Sequence, residues 1–252
     1  MQGSFVSSSR LSAILAAGLM LLAATAASAF EVKPLLHDLA PFGRDATSTV
    51  DITNPTDRPL PIEITINRRR FDDDNEETLT PADDDFLIFP PATVVEPGKT
   101  QRVRLQWLGE PELATSQSYY ARIAQVPITE SGDEGNEIQL VLAFNIAVHV
   151  SPEHAEADIR STGSSLGRDA EGKPILLAKL ENHGSGYAYA SQLALTLTSP
   201  TASLALGPDD ILTAKLNMLL PPGEVRTMRI PLETGNWSEP VEVALELADR
   251  AR

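Results

Sequence analysis

Large apolar residues occupy every second position from Ile138 to Val150, where Ile138, Leu140, Leu142, Phe144, Ile146, Val148 and Val150 alternate with Gln139, Val141, Ala143, Asn145, Ala147 and His149. A period of two held this long predicts a β-strand with one strongly apolar face, roughly 40 Å in length at about 3.3 Å per residue. An ordinary strand is about half as long. Either the strand serves two partners at once, or its early half projects beyond the sheet that holds its late half. The plainer alternative is a long core strand of a single sandwich.

The chain before it carries the same period in shorter pieces. Val50 and Ile52 alternate, a turn rich in Asn, Pro and Asp follows, and Ile62, Ile64 and Ile66 then share one face. A brief apolar strand at Phe86 to Phe89 is stopped by Pro90 and Pro91. A Pro97-Gly98 turn leads into Val103, Leu105 and Trp107, and Tyr119, Ala121 and Ile123 oppose Tyr120, Arg122 and Ala124. About seven strands separated by such turns predict an immunoglobulin-like sandwich over residues 30–152. A polar stretch from Ser151 to Gly167 reads as connector. Beyond it the pattern restarts, with two strands around Asn182 to Gly186, a second strand, Pro-Gly turn, strand unit at 217–232, and a closing VEVALEL. The predicted fold class is therefore all-β, with two immunoglobulin-like β-sandwich domains joined by a short linker near Ser151 to Ala157. The second domain covers 157–252.

The start of the chain is read separately. Arg10 precedes an apolar run rich in Ala and Leu from Leu11 to Ala27, and Ala27, Ser28 and Ala29 form a small-x-small cleavage signature. Residues 1–29 are expected to be a secretory signal peptide, cleaved before Phe30. No later window holds the roughly 20 apolar residues of a spanning helix, so membrane insertion is not expected. The formal charge of the chain is −15, and loss of Arg10 makes it −16. Nucleic acid and anionic membrane surfaces are poor partners on that ground. The chain has no cysteine, which removes thiol catalysis, Cys-ligated metals and disulfide staples together.

Four constellations resemble catalytic or ion sites. Gly163-Ser164-Ser165-Leu166-Gly167 matches G-x-S-x-G, but a nucleophile elbow needs a strand before it and a helix after it, and polar loops are expected on both sides. The acidic runs at Asp72 to Asp74 with Glu76 and Glu77, and at Asp83 to Asp85, lack calcium-loop spacing and read as a solvated hairpin tip. His37, His149, His154 and His183 show no metal-binding spacing. Arg68, Arg69 and Arg70, running into the acidic residues, read as a self-neutralising surface. No catalytic residue, metal or cofactor is assigned.

The order FLIFPP, EPGKTQRVRL, SYYARIAQVPI, polar loop, long alternating strand ending at Ser151-Pro152 resembles the amino-terminal domain of periplasmic pilus chaperones of the PapD-like superfamily. LENHGSGYA and LLPPGEVR resemble their carboxy-terminal domain, and the QSYY and QVP wording is similar to the archaic branch that serves spore-coat-like fimbriae. The resemblance implies a boomerang arrangement of the domains, residence in the periplasm and no enzymatic activity. It also implies a mechanism for the long strand, which such chaperones lend to a pilus subunit whose own sandwich lacks one strand. Ile138, Leu140 and Leu142 match the donor positions, with Phe144 next in the series and expected to remain in the chaperone's own sheet. Thr129 to Glu137 would be the mobile loop before it. Delivery to an outer-membrane usher, without nucleotide, would follow.

The resemblance also has a gap. The basic residues that clamp the subunit's terminal carboxylate in the best-known branch fall here at Asp38 and Ala147. Lys33 and Arg122 are candidate substitutes for these cleft contacts. Arg104 matches a structural arginine near the domain interface. The expected partners are pilus or fimbrial subunits and the usher, with a homodimer that caps the edge strand left open. The competing readings are a pilus subunit or adhesin, or another secreted immunoglobulin-like binding protein, disfavoured by the two sandwiches, and a secreted hydrolase, for which no catalytic set can be assembled.

Overall fold

The computed structural model describes residues 30–72, 75–127, 141–232 and 236–247. Its first ten strands are β1 (Glu31–Lys33), β2 (Leu36–Leu39), β3 (Thr47–Thr53), β4 (Leu60–Phe71), β5 (Glu77–Pro81), β6 (Phe86–Phe89), β7 (Ala92–Val95), β8 (Thr100–Trp107), β9 (Gln117–Gln125) and β10 (Ala143–Val150). They form two facing sheets, ordered β1-β3-β8-β6 and β2-β10-β9-β4-β5, with β7 also on β4. The alternation seen in the sequence decides which side of each strand turns inward. Ile62, Ile64 and Ile66 from β4, Val103, Leu105 and Trp107 from β8, and Tyr119, Ala121 and Ile123 from β9 are all buried in one core. Each Ile, Val or Leu among them contributes about 1.5 to 3 kcal/mol by leaving water. Phe86 fixes the sheet spacing at one end, edge-on to Trp107 at 5.1 Å and to Tyr119 at 5.0 Å.

The remaining elements are β11 (Ile159–Arg168), β12 (Pro174–Asn182), β13 (Ala188–Tyr189), β14 (Leu193–Thr198), β15 (Ser203–Leu206), α1 (Pro208–Thr213), β16 (Leu219–Leu220), β17 (Val225–Pro231) and β18 (Glu242–Leu247). The sheets β11-β12-β17 and β15-β14-β18, with the short pair β13-β16, enclose a second core around Leu176, Leu180, Leu195, Leu197, Met228 and Ile230. This core shares no residue with the first, and residues 151–158 connect them. Among the described residues no helix is long and apolar enough to cross a membrane.

One sequence expectation is corrected. Ser161 to Gly167 is not connector but most of β11, an edge strand that pairs with β12 from Ile159 to Arg168 through a bulge between Ser161 and Gly163. Its small polar residues carry little apolar alternation because an edge strand needs few core contacts, and Leu166 packs against the second core. Ser164 is consequently no elbow nucleophile: its hydroxyl donates to the Val241 carbonyl, tying β11 to the segment before β18.

Candidate functional site: a strand edge and an interdomain cleft

The late strand β10 is paired unequally on its two sides. On one side β9 runs antiparallel to it along its whole length, from Ala143 opposite Ala124 to Val150 opposite Gln117. On the other, β2 runs parallel and covers only Ala147 to Val150. Upstream of Ala147 the β2 side of β10 is therefore an unpaired edge over Ala143 to Ile146 among the described residues. The ladder on the β9 side continues one residue further, since the Gln125 N–H donates to the Leu142 carbonyl at 2.9 Å. Along this stretch Leu142 and Phe144 are half-buried and lean on the first core, where Phe144 meets Phe30 edge-on at 4.8 Å. Ile138, Leu140 and the loop Thr129 to Glu137 lie outside the described residues.

The outward face of the same sheet looks into the second domain. Asn145 and Ala147 from β10, Tyr120 from β9 and Arg69 from β4 line a cavity of about 360 Å³ whose far wall includes Tyr189 and Arg226. Strand parity puts Asn67, Arg69 and Phe71 on one face of β4, opposite the buried Ile62, Ile64 and Ile66. Arg69 is only 8% exposed, so its charge needs partners. Its Nε donates to Glu77 at 2.5 Å, and its guanidinium lies 3.9 Å from the centre of the Tyr120 ring. Arg226 is 5% exposed; its Nη1 donates to the Leu219 carbonyl at 2.8 Å and its guanidinium lies 3.7 Å from the Phe71 ring. Burial and the nearby Arg69 charge lower the Arg226 pKa against the pull of Glu224 and Glu77, burial being the largest cause. Two guanidiniums thus face one small cavity in an otherwise acidic protein, which favours an anionic guest.

Behind the cavity-lining Tyr189, His149 is fully buried between the domains. Its Nδ1 is 2.8 Å from the Ser118 hydroxyl and its Nε2 3.1 Å from the Tyr189 hydroxyl, one nitrogen donating and the other accepting. Burial, aided by the charge of Arg69, lowers its pKa to about 3, so the ring is neutral at neutral pH. Asp38, on β2, accepts a hydrogen bond from the Tyr187 hydroxyl. The carboxylate that stands where a cation was expected is thereby an interdomain tie.

The cleft candidates read from the sequence fall in different places. Lys33 is exposed on β1, in the other sheet, and pairs with Glu31 at 2.9 Å. Arg122 is exposed on the cavity-lining face of β9, between Asn145 and Thr65 and one pleat repeat from Tyr120. Arg104 is exposed on β8 between Thr49 and Phe89, and the interdomain hydrogen bonds described here run through other residues. Arg69 and Arg226, both missed, bring the charge to the cavity. The Arg68 to Arg70 run was only partly a self-neutralising surface: Arg69 does pair with Glu77, but it is buried at the cleft. Among the described residues no cluster of His, Cys, Asp or Glu could hold a metal.

Residues 42–156 match the family of pili and flagellar-assembly chaperones, in its PapD N-terminal domain. None of the curated proteins matches the chain. Among solved structures, the chain is similar to one titled as a chaperone-tip adhesin complex of CFA/I fimbriae biogenesis, at 14% identity and a TM-score of 0.54, covering 88% of this chain and all of that one. It is also similar to a CsuC-CsuE chaperone-tip adhesion subunit complex of the archaic Csu pili of Acinetobacter baumannii, at 12% identity and a TM-score of 0.54, covering 86% and 98%. The class 5 fimbriae chaperone CfaA follows at 14% identity and a TM-score of 0.53, covering 87% and 99%. At such identities the likeness is one of fold.

Proposed function

We propose, from a chain whose amino-terminal domain belongs to the PapD-like pilus-assembly chaperones and whose two immunoglobulin-type sandwiches follow that fold, that this protein completes pilus subunits by lending them its β10 strand. The observation that carries the reading is the edge of β10 over Ala143 to Ile146, open among the described residues and continued upstream in the sequence by the alternating positions Leu142, Leu140 and Ile138. A subunit lacking one strand gains main-chain hydrogen bonds from such an edge and apolar contacts from the side chains above it. Three buried aliphatic side chains contribute about 5 to 9 kcal/mol before ordering costs. Phe144 serves the join, anchoring the lent segment to the chaperone's core.

The charged end of the bound subunit lies in the cleft, where its carboxylate meets Arg69 and Arg226, with Arg122 alongside; Lys33 is too far round the sandwich to take part. The protein works in the periplasm after cleavage of residues 1–29 and passes its cargo to an outer-membrane usher without nucleotide. A pilus subunit or adhesin would instead present a single sandwich, whereas two separate cores are found here.

Co-expression with a fimbrial subunit, followed by purification through a tag on the chaperone, tests the proposal. Wild type recovers the subunit in a one-to-one complex, and the variant with Ile138, Leu140 and Leu142 all changed to Ala does not. Equal recovery by the two proteins overturns the reading.

A further inference from the structure

The hairpin of β4 and β5 belongs to the first domain, yet its end is bonded to the second. Asn75 stands in for a neighbouring strand there: its Oδ1 accepts from the Thr227 N–H at 2.9 Å and its Nδ2 donates to the Thr227 carbonyl at 2.6 Å. Thr227 lies on β17, the edge of the sheet β11-β12-β17, so the amide pairs two main-chain groups that the sheet leaves open. The same Oδ1 accepts from Arg226 Nε at 3.0 Å. Beside it the Phe71 N–H donates to Glu224 at 3.2 Å, and Arg226 covers the Phe71 ring. The backbone of Asn75 has φ 68, a left-handed conformation that Asn tolerates better than most residues.

We propose that the end of this hairpin is a clamp that fixes the angle between the two domains and thereby the width of the cleft. The covalent link is the single segment 151–158, and the His149, Tyr187 and Tyr189 cluster next to it forms one region of contact. Two domains touching in one region can rotate about it, and relative motion is the default for small interfaces. The Asn75 contact lies on another side of the cavity, which is bounded by Tyr189 at the first contact and by Phe71 and Arg226 at the second. A second point of attachment removes the rotation. The two guanidiniums, one from each domain, are then held at one separation whether or not a guest is present. This inference is independent of the chaperone reading.

The absence of cysteine makes the test direct. Asp57→Cys and Glu171→Cys place one spin label on an exposed position of each domain, away from the Asn75 contact, and electron double resonance on the full chain reads the distance between them. The parent is expected to give one narrow distribution. Asn75→Gly keeps the left-handed backbone without strain and removes only the amide, so it should broaden the distribution and shift its mean. Asn75→Asp keeps an acceptor for the Thr227 N–H but loses the donor to the Thr227 carbonyl, and should broaden it as well. A distribution in Asn75→Gly that superimposes on the parent's overturns the clamp.

Discussion

The imidazole of His149 lies against the phenol ring of Tyr187, with 3.8 Å between ring centres and 19° between planes, so that a strand of the first domain is stacked on a strand-end of the second. Burial, with the charge of Arg69, keeps the imidazole neutral there. In the unfolded chain His149 titrates near 6.5, whereas in the native protein its pKa lies at about 3. As pH falls below 6.5 the unfolded chain takes up a proton that the native state refuses. The stability this group supplies is thus complete above pH 6.5 and declines toward pH 3, by up to about 1.4 kcal/mol per pH unit. His37, also buried, has its pKa lowered and adds in the same direction. Urea midpoints measured from pH 7 to pH 4.5 should fall less steeply in His149→Gln than in wild type; equal slopes would exclude His149 as the titrating group.

Two buried asparagines do the same work in the two domains. Asn54 donates to the carbonyls of Arg58 and Val95 at 2.7 and 2.9 Å, and its Oδ1 accepts from the Thr56 N–H at 3.0 Å. Asn182 donates to the carbonyls of Gly186 and Leu220 at 2.8 and 2.9 Å and accepts from the Asp158 and Gly184 N–H groups at 3.1 and 3.0 Å. Asn182→Ala removes four hydrogen bonds to main-chain groups in a site 1% exposed. A loss of about 2 to 4 kcal/mol is expected, read as a drop in the denaturation midpoint of the second domain, with the first domain's transition unmoved.

The sandwich cores were legible because burial on a strand follows a period of two. Ile62, Ile64 and Ile66 announce an inward face without reference to anything distant. The same parity assigns Arg69 to the opposite face, yet whether that face meets water or a second domain is not a local property. Arg226 is 157 residues further along and reaches the cavity only through the packing of the domains, so the charged pair had no signature in the chain. The strand β11 escaped for another reason: an edge strand of Ser, Thr and Gly buries too little to show alternation. The turn chemistry before β4, β8 and β17 was plain, whereas the capping of β17 by Asn75 depends on a side chain acting as backbone.

Arg69 links the hairpin residue Glu77, the ring of Tyr120 and the cavity. Arg69→Lys keeps the charge but cannot stack flat on Tyr120 while reaching Glu77, so it should behave nearly as poorly as Arg69→Met. Loss of one charge-assisted hydrogen bond to a carboxylate corresponds to about 1.5 to 3 kcal/mol, or roughly 10- to 100-fold in affinity for a subunit. Titration of the chaperone with a subunit, and with the same subunit amidated at its carboxy terminus, would show this. If both variants bind as wild type does, the carboxylate is held elsewhere.

The strand β10 should divide into a part that stabilises the chaperone and a part that binds. Phe144 sits opposite Ile123 in the ladder, packs on Phe30 and is half-buried. Phe144→Ala opens a cavity against Phe30, and since truncating a fully buried Phe costs about 3 to 5 kcal/mol, the lower end applies here. The variant should therefore melt earlier than wild type, while its edge, which depends on main-chain groups, still accepts a subunit when assayed below the melting point. The substitutions at Ile138, Leu140 and Leu142 should act in the opposite sense, abolishing recovery of the subunit while lowering the melt only by what the half-buried Leu142 adds to the first core. Thermal melts of both variants beside co-purification with one subunit separate the two roles. Should the triple variant lose as much stability as Phe144→Ala, the strand is ordinary core along its whole length, and strand donation is ruled out as the basis of binding.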